Sequence, residues 1–276
     1  MNLPSQNRIS LNDGNTLPQI GFGVFLISDE NVFPSVVSAL DIGYRLIDTA
    51  SIYKNEQGVG LALKASGIPR HELCLTTKIW NDAHGDGKTR ESCQSSLKRL
   101  NLDYIDLLLI HWPCPKQNKF VEAWKELIDL RDEGFVRSIG VSNFNISHIE
   151  LLIEKTGVVP SVNQVECHPW LQQVEQRLFH KELAIQTQAW SPLGRGKLLA
   201  DPILLSIASK YSISTAQVIL SWHYSLGILP IPKSTKPERM LENFNAINYR
   251  LDDDDLFQIS RLQSGTRTGP DPSTFG

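Results

Sequence analysis

Cysteine is scarce in this chain: four residues in 276, at Cys74, Cys93, Cys114 and Cys167, with no CxxC and no histidine at finger-like spacing. That speaks against a disulfide scaffold or a zinc ribbon and fits reduced thiols in a cytoplasmic protein. Long apolar runs are missing as well, and a block such as Leu107–Ile110 has the length of a strand core, far short of a membrane span. The opening residues Met1–Pro4 lack the basic and apolar regions of a signal peptide. A net charge of -3 gives no general attraction to nucleic acid or to an anionic membrane. No Gly-rich nucleotide turn is complete either. Gly58-Val59-Gly60 lacks its third glycine and lies in a helical pattern, which reads as helix packing, and Gly21-Phe22-Gly23 lies in a strand.

What is present is a regular alternation. Strand patterns at 21–25, 44–48, 73–78, 105–111, 136–141, 161–165, 184–189 and 227–231 are separated by helical patterns at 29–42, 55–66, 88–100, 120–133, 147–155 and 172–181. Helices are also expected at 202–211, 215–226, 237–246 and 252–262, the last begun by Asp252–Asp255 at its positive end. Eight strands alternating with helices predict an α/β fold, one (β/α)8 TIM barrel spanning residues 1–276. Ahead of it, Ile9–Leu11 and Thr16–Ile20 flank Asn12-Asp13-Gly14-Asn15, a hairpin expected to plug one end. The tail 266–276, rich in Gly, Pro and Thr, is expected to lie across the surface.

Four chemistry-bearing residues fall at one rim of such a barrel. Asp48, Lys78 and His111 end the second, third and fourth strands, and Tyr53 follows Asp48 in the loop. Each has a plainer reading: a turn cap, a ring packed on the barrel end, a solvated lysine, a structural histidine. Their shared position favours a common task. A phenol with a pKa of about 10 is a poor acid at neutral pH. A buried cation beside it, Lys78 fixed by Asp48, is expected to lower that value and make Tyr53 a proton donor, with His111 orienting the same oxygen. Nothing in the set is a nucleophile or a metal-ligand cluster, so the group suits charge appearing on a carbonyl oxygen. Reducing that carbonyl calls for a nicotinamide cofactor. Ser142, Asn143 and Gln164 can hold a carboxamide, and the Trp190 indole can stack beneath its ring, with Ser191 adjoining. The run Ile231–Arg239, with Lys233, Ser234, Thr235 and Arg239 entering a helix, suits a phosphate monoester and so NADPH over NADH.

With these residues in place, the chain closely resembles the aldo-keto reductases over nearly its full length. The matching segments are Gly43–Ala50 with Tyr53, Thr77-Lys78, His111-Trp112-Pro113, Gly140–Phe144, Asn163–Glu166, Ser191–Gly194 and Ile231–Ser234. The resemblance implies Tyr53 as general acid, Lys78 and Asp48 as its tuning pair, and His111 as orienter of the carbonyl. It also implies Ser191 and Leu193 along the pyrophosphate, and Glu242 and Asn243 near adenine. Within the family the chain is similar to bacterial 2,5-diketo-D-gluconic acid reductases, through Lys78–Asp82, Gly21–Phe25 and the short Cys114–Lys119 loop. Phe25, Trp80 and Trp112 are expected as pocket walls over Trp190, facing small aldehydes, 2-keto esters, dicarbonyls such as methylglyoxal, or keto-sugar acids. The expected protein is a monomer acting on small molecules, with no metal, nucleic-acid or membrane partner. Two other readings stand beside it: an NADPH-binding sensor or auxiliary subunit with little turnover, and a barrel lyase or isomerase that binds no cofactor.

Overall fold

The computed structural model describes residues 7–276, so the reading of Met1–Pro4 lies outside the described residues. Strands β1 (Arg8–Ser10) and β2 (Thr16–Pro18) pair antiparallel, with Ile9 opposite Leu17. The turn between them is closed by Gly14 at φ +86° and by Asn15 N–H donating to Asp13 Oδ1 at 2.9 Å. Eight further strands follow in parallel order: β3 (Phe22–Gly23), β4 (Leu46–Asp48), β5 (Cys74–Ile79), β6 (Ile105–Ile110), β7 (Val136–Ser142), β8 (Val162–Glu166), β9 (Gln186–Trp190) and β10 (Leu229–Pro230). Gly21 N–H donates to Pro230 O and Gly23 N–H to Pro232 O, both at 3.1 Å, so first and last strands meet and the sheet is a closed barrel.

The outer layer is α1 (Asp29–Ile42), α2 (Glu56–Ala65), α3 (Lys88–Leu100), α4 (Phe120–Asp132), α5 (Ile146–Thr156), α6 (Val174–Glu182), α7 (Pro202–Tyr211), α8 (Thr215–Ser225), α9 (Pro237–Asn245) and α10 (Asp253–Ser260). Local signals set their ends. Asp201 accepts from the N–H groups of Ile203 and Leu204 ahead of Pro202, and Ser214 with Gln217 forms a reciprocal cap on α8. Gly43, at φ +123°, returns its N–H to Ala39 O and Leu40 O and stops α1. Tyr44 N–H also bonds back to Ala39 O, so Tyr44 finishes the helix turn and the second barrel strand begins at Leu46.

The other expected segments match to within a few residues, except that the first and last barrel strands shrink to two residues each. Both carry glycine or proline, which weaken a ladder. The hairpin sits where expected. Its Leu11 and Leu17 pack with Leu46, Cys74, Leu107, Leu109, Val162, Leu229 and Ile231 inside the barrel. Asn12 and Asn15 tie it to the backbone oxygens of Pro160 and Arg137 at the strands' entry end. Gly58 and Gly60 do serve close packing: a Cβ on Gly60 would lie 2.1 Å from Leu100 O, and one on Gly58 would lie 2.4 Å from Val32 Cγ1. The four cysteines are free and buried. Among the described residues, no single helix is long and apolar enough to cross a membrane.

Candidate active site

The strands' exit ends share one rim. Asp48 is the last residue of β4, Lys78 lies one residue from the end of β5, and His111 follows β6 directly. Tyr53 closes a single helical turn, Ser51–Tyr53, which Lys54 ends at φ 57°. A cavity of about 1000 Å³ opens over this rim, lined by Asp48, Tyr53 and His111 with Phe25, Trp80 and Trp112 as walls. It continues past Ser142, Asn143, Gln164, Trp190, Ser191 and Leu193 to Lys233, Ser234, Arg239, Glu242 and Asn243. Two expected residues stand apart. Lys78 is wholly buried beneath the cavity, and Thr235 is exposed on the loop, off the cavity lining.

Lys78 Nζ donates to Asp48 Oδ1 at 2.6 Å and to Thr49 O at 2.8 Å. Asp48 Oδ2 accepts from Gln164 Nε2 at 2.7 Å, so both carboxylate oxygens are engaged, and Gln164 Nε2 also donates to Gln188 Oε1. The donors of Gln164 are therefore spent, and its side-chain oxygen is the acceptor left to a ligand. Asn143 is similar. Its Nδ2 donates to His111 O and to Ser142 Oγ, while its Oδ1 accepts from Trp190 Nε1 at 2.8 Å. Asn143 sits at φ 63°, a left-handed conformation that asparagine tolerates better than most residues.

The Tyr53 ring centre is 5.3 Å from Lys78 Nζ and 5.7 Å from the His111 ring, which packs edge-on against Trp80 at 5.0 Å. Burial, with the Asp48 charge adding to it, holds the Tyr53 phenol well above its ordinary pKa. The lowering expected from Lys78 is not seen: loss of water around a would-be phenolate and the nearby Asp48 carboxylate dominate. Burial likewise lowers Lys78, against the opposing pull of Asp48. His111 is held well below its ordinary value by burial and then by Lys78, so its ring is neutral at physiological pH. His111 Nδ1 has no partner among the described residues. The set is a protonated phenol and a neutral imidazole above a buried ion pair, suited to giving a proton to an oxygen that gains charge.

Sequence reasoning missed part of the lining. Arg195 and Gly196, at φ 54° and 83°, bend the chain over the cavity beside Leu199, and Ser214–Ala216 bring the start of α8 to it. Gly194-Arg195-Gly196 and the Ser214/Gln217 cap were legible signals for a turn and a helix start. Pro270 and Phe275 also line the cavity. The tail does lie on the surface, but on this rim: Phe275 packs on Trp112 at 4.6 Å, and Asn145 Nδ2 donates to Ser273 Oγ at 3.0 Å.

Residues 19–264 match the model of the aldo/keto reductase family. An aldo-keto reductase of Mycolicibacterium smegmatis is 50% identical over 268 residues, covering 97% of this chain and 98% of that protein. Methylglyoxal reductase DkgA of Escherichia coli is 48% identical over 270 residues, again covering 97% and 98%. Among solved structures, a mutant of Gox0644 in complex with NADPH superposes with a TM-score of 0.94 at 43% identity, over 98% of this chain and 99% of that one.

Proposed function

This chain belongs to the aldo/keto reductase family, and on that premise we propose that it reduces small uncharged aldehydes, 2-keto esters and dicarbonyls such as methylglyoxal with NADPH. The observation that carries the reading is one continuous cavity with Tyr53 and His111 above the Asp48–Lys78 pair at one end and Lys233 and Arg239 at the other. The residues fit the cofactor. Lys233, Ser234 and Arg239 suit its adenosine phosphate, and Glu242 and Asn243 would adjoin adenine. Ser191 and Leu193 would follow the pyrophosphate. Gln164, Asn143 and Ser142 each retain an oxygen able to accept from the carboxamide, and Trp190, pinned by Asn143, offers a face to the nicotinamide ring.

When bound, NADPH supplies the hydrogen and electron pair that a carbonyl carbon takes up. The chain's own residues do the rest. His111, neutral, orients the carbonyl oxygen, and Tyr53 gives that oxygen its proton. Lys78 stabilises the phenolate left on Tyr53, and Asp48 holds Lys78 charged and in place. Around the reacting end the lining is aromatic and aliphatic, with Phe25, Ile52, Trp80, Trp112 and Phe275. That arrangement favours uncharged carbonyls over keto-sugar acids. A monomeric enzyme, a single domain over 1–276 and a cytoplasmic location complete the reading.

The test is loss of NADPH absorbance with methylglyoxal, a 2-keto ester and a keto-sugar acid. Turnover is expected with the first two, at higher kcat/KM than with the third. Tight NADPH binding without turnover across the panel would favour the sensor reading, and no NADPH binding would favour a lyase or isomerase.

A further inference from the structure

Glu166 is the last residue of β8, and its register partner on β9 is Trp190. Its side chain is fully buried, yet it takes no part in the carbonyl-reducing set. Four donors converge on it. Oε1 accepts from Thr268 N–H at 2.6 Å and from Thr268 Oγ1 at 2.5 Å, and lies 3.0 Å from His168 Nε2. Oε2 accepts from Gly269 N–H at 3.2 Å. Burial raises the Glu166 carboxyl, but the bonds from His168 and Thr268 outweigh it and leave the group below its ordinary pKa, hence ionised. A buried carboxylate thus grips two successive residues of the tail, 102 and 103 positions further along the chain.

The gripped segment meets the Trp190 indole directly. A Cβ built on Gly269 would lie 2.4 Å from Trp190 Cη2 and 3.1 Å from Cζ3, closer than real contacts allow. Gly269 is outside the positive-φ set, so the constraint there is space and not backbone conformation. The opposite side of the indole is tied by Nε1 to Asn143. Trp190 is therefore held between the hydrogen bond it donates to Asn143, just past β7, and Gly269 of the tail segment that its strand neighbour Glu166 fixes.

We propose that Glu166 and Gly269 form a positioning device for Trp190: the carboxylate clasps the tail, and the glycine lets that tail close on the outer tip of the indole's six-membered ring and fix where the ring sits. The consequence for cofactor binding rests on the reading of Trp190 as the nicotinamide's neighbour. Neither residue touches the reacting atoms. Their effect is expected in cofactor affinity, with the proton-transfer step left alone.

The test uses full-length protein labelled with 5-fluorotryptophan, the Trp190 resonance being assigned by its loss in Trp190→Phe. Without cofactor, Glu166→Gln, which turns an acceptor oxygen into a donor facing other donors, is expected to shift or broaden that resonance; Gly269→Ala is expected to shift it too. In binding titrations Gly269→Ala is expected to weaken NADPH about tenfold, an effect that vanishes in a Trp190→Phe background, where Cη2 is absent. An unmoved resonance in both variants overturns the proposal, as does the same NADPH loss in either background. A moved resonance with unchanged NADPH affinity supports the clasp and removes Trp190 from the cofactor site. Should Glu166→Gln fail to fold, Gly269→Ala alone decides.

Discussion

The two ends of the cavity are built in opposite ways. At the reacting end, Asp48, Lys78 and Gln164 are buried and bonded to one another, and buried Asn143 is tied to His111, Ser142 and Trp190, so their orientation is fixed before any ligand arrives. At the far end, Lys233 and Arg239 are exposed and make no side-chain hydrogen bond or ion pair among the described residues. The first arrangement keeps its charges inside and pre-aimed, as stabilising a transition state demands. The second leaves cations in water, where an arriving phosphate can recruit them at little cost.

The sharpest way to break this contrast is Tyr53→Phe. Removing the proton donor is expected to cut kcat by roughly 10²–10⁴-fold while leaving NADPH affinity unchanged in fluorescence titration. More than a tenth of the wild-type kcat surviving would refute the assignment. Next comes Lys78→Met. It strands the Asp48 carboxylate in the interior and is expected to cost about 3–5 kcal/mol in urea unfolding, with activity lost as well; a loss under about 1 kcal/mol would mean the pair is not preset. Arg239→Ala tests the other end. NADPH is expected to bind about 10- to 100-fold more weakly, NADH equally well, and stability to stay within about 0.5 kcal/mol. Equal losses for both cofactors would show that Arg239 does not meet the phosphate.

The smallest effect concerns pH and the interior. His180 Nδ1 pairs with Thr187 Oγ1 and its Nε2 with Asn163 Nδ2, a pattern that suits the neutral ring, and burial lowers its pKa to about 4. The folded chain resists protonating it while the unfolded chain takes up the proton near pH 6.5. Its contribution is thus complete above that pH and drains away as pH falls toward 4. The thermal midpoint is expected to decline over that window, and less steeply in His180→Gln. Equal slopes would remove His180 from the account.

The barrel was legible because buried parallel strands read as apolar runs and helix ends carry caps; Lys88–Leu100 and Pro202–Tyr211 agree to the residue. Strand-end placement brought Asp48, Tyr53 and His111 together for the same reason. The Tyr53 pKa went the other way because pattern reveals a neighbouring cation but not how much water is lost. Thr235 stands exposed off the lining, and a loop's sequence does not say which side chain turns inward. Pro270, Phe275 and the Glu166 clasp join residues about a hundred or more positions apart through a tail without periodicity, and no local signal encodes such a meeting.

The junction between the first and last barrel strands carries a kinetic consequence. Gly23, Ile231, Pro232 and Lys233 all border the cavity, and Gly23 N–H bonds to Pro232 O across the join. A folding chain must therefore bring together segments some two hundred residues apart before there is any room shaped for a dinucleotide, a slow long-range step. During refolding, helix content should return early and coenzyme capture last, with the seam acting as the clock between them.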